Sequence, residues 1–156
     1  MWDRHEEDRS NCHIWIGAKN ENGREWINEV LSRANEDGFY YQPRLDEELL
    51  DLLPAGDVWI TTACVAGWKY RSEEEDRLKA LWKKLYDKHG DNFMFEVQYH
   101  PSERQKELNR YILELRKEIP APIIMGCDSH YIDVNGAELR TDFLVSKEDR
   151  KDYDDE

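Results

Sequence analysis

The sequence predicts an α/β fold in which parallel strands carry helices on their outer side. Four short apolar runs have the length and composition of buried strands, at 13–18, 57–63, 93–99 and 122–126. In the segments between them, apolar residues recur three and four positions apart, which is the helical period. Long helical connections join parallel strands in α/β proteins. The pattern fits half of a β/α barrel or a small open sheet, and composition does not separate these two.

Each predicted helix has a start or stop signal. The spacing of a capping box occurs three times, in Asn22 with Glu25, Ser72 with Glu75, and Ser102 with Gln105. Gly38 and Gly90 are suited to ending the first two of these helices. A shorter helix is predicted at 46–53, before Pro54, and a last one at about 136–146.

The composition indicates a folded, acidic domain. The chain has 156 residues, of which 39% are hydrophobic and 37% charged, and a chain of this length can bury a core. Its net charge of -13 differs from the basic surface typical of proteins that bind nucleic acids. We predict a charged segment at 1–12, a domain at 13–146 and an acidic tail at 147–156, with both ends in solvent.

The same composition predicts a cytoplasmic protein. No apolar run reaches the roughly 20 residues that span a bilayer, and the first residues lack the apolar core of a signal peptide. Three cysteines without close spacing do not form a disulfide pattern. We therefore expect a reducing compartment and no membrane partner.

Potential metal ligands follow three of the four predicted strands. In parallel α/β folds, ligands bind beyond the carboxyl ends of the strands. Cys64 follows the second strand, His100 the third, and Asp128 with His130 the fourth. Asp128 and His130 are two positions apart, so in an extended segment both side chains could bind one ion. A thiolate at Cys64 would favour zinc over magnesium.

These residues also have structural interpretations. Cys64 could be a small buried residue, Asp128 could cap a helix, and His100 could pack at a helix entry. A nucleophilic Cys–His enzyme is a further alternative, but the sequence places no base beside Cys64. His13 begins its strand instead of ending it, so strand geometry predicts a structural role. We also predict surface positions for His5 and His89, and structural roles for Cys12 and Cys127.

Six blocks of the sequence together match a known pattern. They are HIWIGAKNENG at 13–23 (compare HLVLLAKNEEG), GFYYQPRLDEELL at 38–50 (GFYYKPRIDxELL), TACVAG at 62–67 (SACLAG), EVQYH at 96–100 (EIQxH), Gln105 with Asn109 (QxxxN), and DSHYI at 128–132 (DSHYL). In this order they resemble the PHP (polymerase and histidinol phosphatase) domain of bacterial and phage DNA polymerase III alpha subunits. The resemblance covers most of the chain.

The resemblance implies a distorted seven-stranded β/α barrel that binds divalent metal ions, zinc or manganese, with this chain forming about half of it. It implies that four residues are metal ligands, namely His13, Cys64, Asp128 and His130. For His13 this conflicts with the argument from strand geometry. Tyr41, Arg44 and His100 would lie near the site and contact a substrate phosphate.

Only the C-terminal half of the family pattern is present. The opening HxH motif is missing, since His5 has no second histidine two residues away, and the 12 residues before His13 are too few for the remaining βα units. Cys127 also replaces the Asn that usually precedes the DxH pair. We therefore expect that a partner chain supplies the N-terminal half, the polymerase core or both, or that the chain forms a homo-oligomer.

The expected function is that of the PHP portion of a replicative polymerase. Phosphoesterase chemistry of the 3′–5′ exonuclease type would need the missing half, and DNA would be reached indirectly. The chain alone would not polymerise DNA. Two alternatives are a non-catalytic scaffold or binding module in a replisome, and a small autonomous phosphoesterase.

Overall fold

The computed structural model describes residues 3–7, 12–64, 72–127 and 129–146. The predicted tail at 147–156 and the candidate ligand Asp128 lie outside these residues. In chain order the elements are β1 (Trp15–Ala18), α1 (Glu21–Glu36), α2 (Glu47–Leu50), β2 (Val58–Thr61), α3 (Ser72–His89), a 3₁₀ turn (Gly90–Asn92), β3 (Phe93–Gln98), α4 (Glu103–Leu115), β4 (Ile123–Gly126) and α5 (Val134–Val145). All four predicted strands are present, and each is slightly shorter than predicted.

The four strands form one mixed sheet in the order β1-β2-β3-β4. The prediction of parallel pairing is correct for β2 with β3 and for β3 with β4. It is wrong for β1, which runs antiparallel to β2. The reason is that the chain runs along the length of the sheet twice between these strands, first through α1 and then through the segment that contains α2. A single run would return the chain to the edge where β1 begins and would make β2 parallel to β1. The second run brings it to the edge where β1 ends, so β2 is antiparallel.

The core lies on one face of the sheet. Side chains from α1, α2, α3 and α4 form a single buried cluster with the strand residues Val58, Ile60, Phe93 and Phe95. The ring of Trp82 on α3 packs edge-on against Phe95, with 5.6 Å between centroids. Because side chains alternate along a strand, Trp15 and Trp59 belong to the opposite face, and both are about half exposed.

Capping differs from the prediction at α1 and agrees with it at α4. The cap of α1 is Asn20, whose side-chain oxygen accepts a hydrogen bond from the Gly23 amide at 3.0 Å. Asn22 instead donates from its side chain to the Asp57 carboxylate at 2.6 Å. At α4 the Ser102 hydroxyl accepts from the Gln105 amide at 3.3 Å, as the capping-box spacing predicts.

Part of the N-terminal segment is packed against the domain instead of lying in solvent. The buried Arg4 guanidinium donates to both carboxylate oxygens of Asp46, at 2.9 and 2.8 Å. Burial opposes ionisation of Asp46, but the amides of Leu49 and Arg4 and the Arg4 guanidinium outweigh it, so the pKa of Asp46 is lowered. This ion pair fixes the start of α2, because Asp46 also caps that helix.

His89, predicted at the surface, is buried at the end of α3 with only 4% of it exposed, and the segment before β2 lies beside it. Among the helices in the described ranges, none combines the length and apolarity that crossing a membrane would require.

Gly23 provides a test of the packing between α1 and the start of β2. A Cβ atom at this position would lie 2.0 Å from the carbonyl oxygen of Asp57, whereas one at Gly56 would meet nothing within 4 Å. We predict that Gly23→Ala lowers the free energy of unfolding by about 1–3 kcal/mol. Gly56→Ala, the matched control, should leave it unchanged or raise it slightly. Urea unfolding followed by circular dichroism measures both, and equal effects would contradict the close approach.

His89 predicts a pH dependence of stability. Burial, followed by the charge of Lys88, lowers the pKa of His89, and neither ring nitrogen has a hydrogen-bond partner at normal geometry, although the Ala55 carbonyl is near enough to oppose the shift. A lowered folded-state pKa means that the unfolded chain binds the proton first. The contribution of His89 to stability is therefore complete above about pH 6.5 and is lost as the pH falls toward the folded-state pKa.

His89→Leu should reduce the loss of stability between pH 7 and pH 5, measured by urea unfolding at each pH. The exposed His5, substituted in the same way, is the control and should leave the pH profile unchanged. An unaltered profile in His89→Leu would show that the buried imidazole is not the group responsible.

Candidate functional site

The candidate ligands lie at one edge of the sheet, which we call the site edge: the start of β1 and the ends of β2, β3 and β4. Three of these strands run toward this edge because they are parallel, and β1 begins there because it is antiparallel. His13 precedes β1, and the remaining described candidates, Cys64, His100 and His130, follow the other three strands. Asp128, between β4 and His130, is outside the described residues.

His13 and Cys64 are in contact across the β1–β2 pair. The register sets Trp15 opposite Thr61, so His13 falls opposite Ala63, next to Cys64. Ala63 has a φ of 56°, a left-handed conformation that turns the chain out of β2. The Sγ atom of Cys64 lies 3.6 Å from Nδ1 of His13. The structural role predicted for His13 assumed a β1 parallel to β2, and because β1 is antiparallel, His13 lies at the site edge.

The separation of these two atoms fits shared coordination of a metal ion. Zinc bonds of about 2.3 Å to sulfur and about 2.0–2.1 Å to nitrogen, at a tetrahedral angle, place the two ligand atoms about 3.6 Å apart. The same distance suits a hydrogen bond between thiol and imidazole, and it places a base beside Cys64, which sequence analysis did not find. Within the described ranges, no three His, Cys, Asp or Glu side chains cluster closely enough to hold a metal.

The other candidate residues at the site edge are exposed. Nδ1 of His100 accepts a hydrogen bond from the Ser102 amide at 3.2 Å, at the entry of α4. His130 is exposed as well. The predicted convergence of Cys64, Asp128 and His130 stays a prediction. Cys127 is exposed, with Sγ 3.1 Å from the Ser129 hydroxyl, and Cys12 is exposed as well. The structural roles expected for both cysteines stay predictions.

Arg44 is buried and bonded to backbone carbonyls. Its Nε donates to Gly38 at 2.9 Å and its Nη1 to Glu6 at 2.6 Å, while Nη2 donates to the carbonyl of Arg4. Arg44 also lines a mainly apolar cavity of about 330 Å³ that reaches His13. These bonds join the N-terminal segment to the chain before α2. The role predicted for Arg44 at a substrate phosphate stays a prediction.

Tyr41 is exposed and has a φ of 64°, which is rare for an aromatic residue. Its ring meets the ring of Tyr40 edge-on, with 4.8 Å between centroids. The roles predicted for Tyr41 and His100 at a substrate phosphate remain predictions.

A carboxylate that sequence analysis did not select lies beside the site edge. Oε2 of Glu96 accepts a hydrogen bond from the Thr61 hydroxyl at 2.8 Å, and Oε1 accepts from Nε2 of Gln98 at 2.9 Å. The Thr61 oxygen in turn accepts from the Ala63 amide at 3.1 Å. Glu96 is the single charged residue of β3, and this was the signal available in the sequence.

The sequence is similar to segments of DNA polymerase III alpha subunits. It is 33% identical over 129 residues to the DNA polymerase III subunit alpha of Aquifex aeolicus (strain VF5), a match that covers 81% of this chain and 11% of that protein. The subunit alpha of Borreliella burgdorferi is 31% identical over 78% of this chain and 11% of its own length. The PolC-type DNA polymerase III of Clostridium perfringens is 30% identical over 82% of this chain and 10% of its own length.

The similarity is limited to a small part of each relative. The chain spans about a tenth of the length of the curated relatives it matches. No family model matches the sequence. The chain is therefore related to one segment of a replicative polymerase subunit.

Proposed function

We propose that this chain is the C-terminal half of a PHP domain of the DNA polymerase III alpha type, and that it supplies one side of a metal-dependent phosphoesterase site. The contact between Cys64 Sγ and His13 Nδ1 is the observation that carries the proposal. Two residues 51 positions apart in sequence meet at the edge of the sheet where the other candidate ligands emerge. The order of the six sequence blocks and the similarity to polymerase subunits support the same assignment.

The proposed ligands are His13, Cys64, Asp128 and His130. Thiolate and imidazole ligands favour zinc, while manganese prefers carboxylates and water, so zinc suits the described pair better. A bound divalent ion would activate water and stabilise charge on a phosphoryl group during hydrolysis. The protein residues would hold the ion beyond the site edge, where β1 begins and β2 and β4 end.

The site is proposed to be completed by residues from outside these 156. We assign the missing part to polypeptide that supplies the N-terminal half of the domain, the polymerase core or both, with a homo-oligomer as the alternative. DNA would be reached through that larger assembly, since this chain carries a net charge of -13.

A non-catalytic scaffold in a replisome is the second candidate function. It requires no complete set of metal ligands, and no three potential ligands form a group within the part of the chain that the structure describes. A scaffold of this kind would bind the polymerase assembly whether or not metal is present. A small autonomous phosphoesterase is the third possibility, and it requires activity from this chain alone.

Metal binding by the pure chain tests the proposal directly. Cobalt(II), a spectroscopic substitute for zinc, should produce a thiolate-to-cobalt charge-transfer band that is lost in Cys64→Ser. His13→Ala should weaken cobalt binding roughly tenfold or more, since first-shell losses exceed those of supporting residues. The controls Cys12→Ser and His5→Ala, near the same end of the chain, should bind normally. Absence of the band in the unmodified chain would reject the metal site and leave the scaffold function.

Hydrolysis by the isolated chain distinguishes the remaining alternatives. We expect little or no cleavage of a single-stranded DNA oligonucleotide in zinc or manganese, because two-metal hydrolysis needs more ligands than these four residues provide. Denaturing gels of end-labelled DNA measure the rate. Robust metal-dependent cleavage that is abolished in Asp128→Ala and retained in His5→Ala would instead identify an autonomous phosphoesterase.

A further inference from the structure

We propose that Glu96 is a positioning residue that holds Cys64 in place against His13. This inference rests on the proposed function, because Cys64 matters as a metal ligand. Glu96 lies on β3, in the middle of the sheet, and Cys64 follows β2. Thr61, at the end of β2, connects the two by hydrogen bonds. The hydrogen bonds that make this connection are all within the described residues.

The connection runs through two hydrogen bonds. The Thr61 hydroxyl donates its proton to Oε2 of Glu96 at 2.8 Å. The oxygen of that hydroxyl is then oriented to accept the amide proton of Ala63 at 3.1 Å. Ala63 is the residue whose left-handed backbone turns the chain toward Cys64. Glu96 therefore determines which way the Thr61 hydroxyl points, and the hydroxyl stabilises the turn.

The Glu96 carboxylate is itself held on its other side. Nε2 of Gln98 donates to Oε1 at 2.9 Å, and Gly126 on β4 leaves the space that the carboxylate occupies. A Cβ atom at Gly126 would lie 1.9 Å from Oε1 of Glu96. Because the carboxylate has two hydrogen bonds, it cannot move aside without losing at least one of them. Only glycine at position 126 is compatible with this arrangement.

Thr61 and Thr62 form a natural matched pair for the test. Both side chains are buried, and each hydroxyl accepts one backbone amide, Ala63 to Thr61 at 3.1 Å and Glu96 to Thr62 at 3.0 Å. Only the Thr61 hydroxyl also reaches the Glu96 carboxylate. At nearly constant shape, Thr62→Val removes the bond to a backbone amide, whereas Thr61→Val removes a bond of the same kind and also the bond to the Glu96 carboxylate. A difference between the two variants therefore reports on the Glu96 connection and not on general stability.

The first readout is the reactivity of Cys64 without metal. In a background in which Cys12 and Cys127 are Ser, Cys64 is the sole thiol, and iodoacetamide alkylation reports its accessibility. Loss of the charge-assisted hydrogen bond should loosen the turn, and we expect roughly fivefold faster alkylation or more in Glu96→Ala, Thr61→Val and Gly126→Ala. Thr62→Val should remain near the background rate. Thermal unfolding confirms that each variant is folded at the assay temperature.

Glu96→Gln separates positioning from a direct effect of charge. Its amide can accept from Gln98 and donate to the Thr61 oxygen, so it should recover most of the background alkylation rate. If Glu96→Gln were as reactive as Glu96→Ala, the charge itself would be acting on Cys64 and the positioning role would be rejected. Equal alkylation rates in Thr61→Val and Thr62→Val would reject it as well.

The second readout is cobalt affinity, for which the loss of a supporting residue typically costs 10–100-fold. We expect that range in Glu96→Ala and Thr61→Val, with Thr62→Val close to the unmodified chain. If the unmodified chain gives no cobalt band, the proposed metal site fails, and the alkylation rates alone decide whether Glu96 positions Cys64. If cobalt binds normally in the Glu96→Ala and Thr61→Val variants, the positioning inference fails while the metal site stands.

Discussion

The antiparallel pairing of β1 with β2 is the constraint on which the candidate site depends. The register that sets Trp15 opposite Thr61 brings the residue before β1 and the residue after β2 to the same edge of the sheet. If β1 ran in the other direction, His13 would lie about 16.5 Å away, at five residues of about 3.3 Å each. The two runs along the sheet through α1 and the α2 segment are therefore a requirement of the site and not an irregularity of the fold.

The parallel pairing of β2, β3 and β4 gives Glu96 its position. The parallel pairing of β2 with β3 places Thr61 beside Met94, within reach of Glu96 two residues further along the same face. The pairing of β3 with β4 brings Gly126 opposite Gln98, where the absence of a side chain admits the carboxylate. One polar group thus connects three strands immediately behind the edge from which His13, Cys64 and His130 emerge.

The sequence predicted the helices, the strands and the candidate residues better than it predicted strand direction and long-range contacts. Apolar runs and capping residues located the four strands and the helices within a few residues, because these signals are local. The direction of β1 depends on how many times the chain runs along the sheet, although the short helix before Pro54 was a sign of a second run. The burial of His89, the Arg4–Asp46 ion pair and the Glu96 connection depend on residues more than 30 positions apart, which no local pattern reveals.

Helices bury one face of the sheet and leave large side chains of the other face exposed. On one face, helices α1 to α4 bury Val58, Ile60, Phe93 and Phe95. On the other, Trp15 and Trp59 remain 51% and 42% exposed, beside the polar groups of Thr61 and Glu96. Exposure of two large aromatic side chains on one sheet face is costly in water and typical of a surface that contacts further protein. This face adjoins the site edge, so polypeptide that covered Trp15 and Trp59 would also lie beside His13 and Cys64, where the proposed metal site would take its remaining ligands.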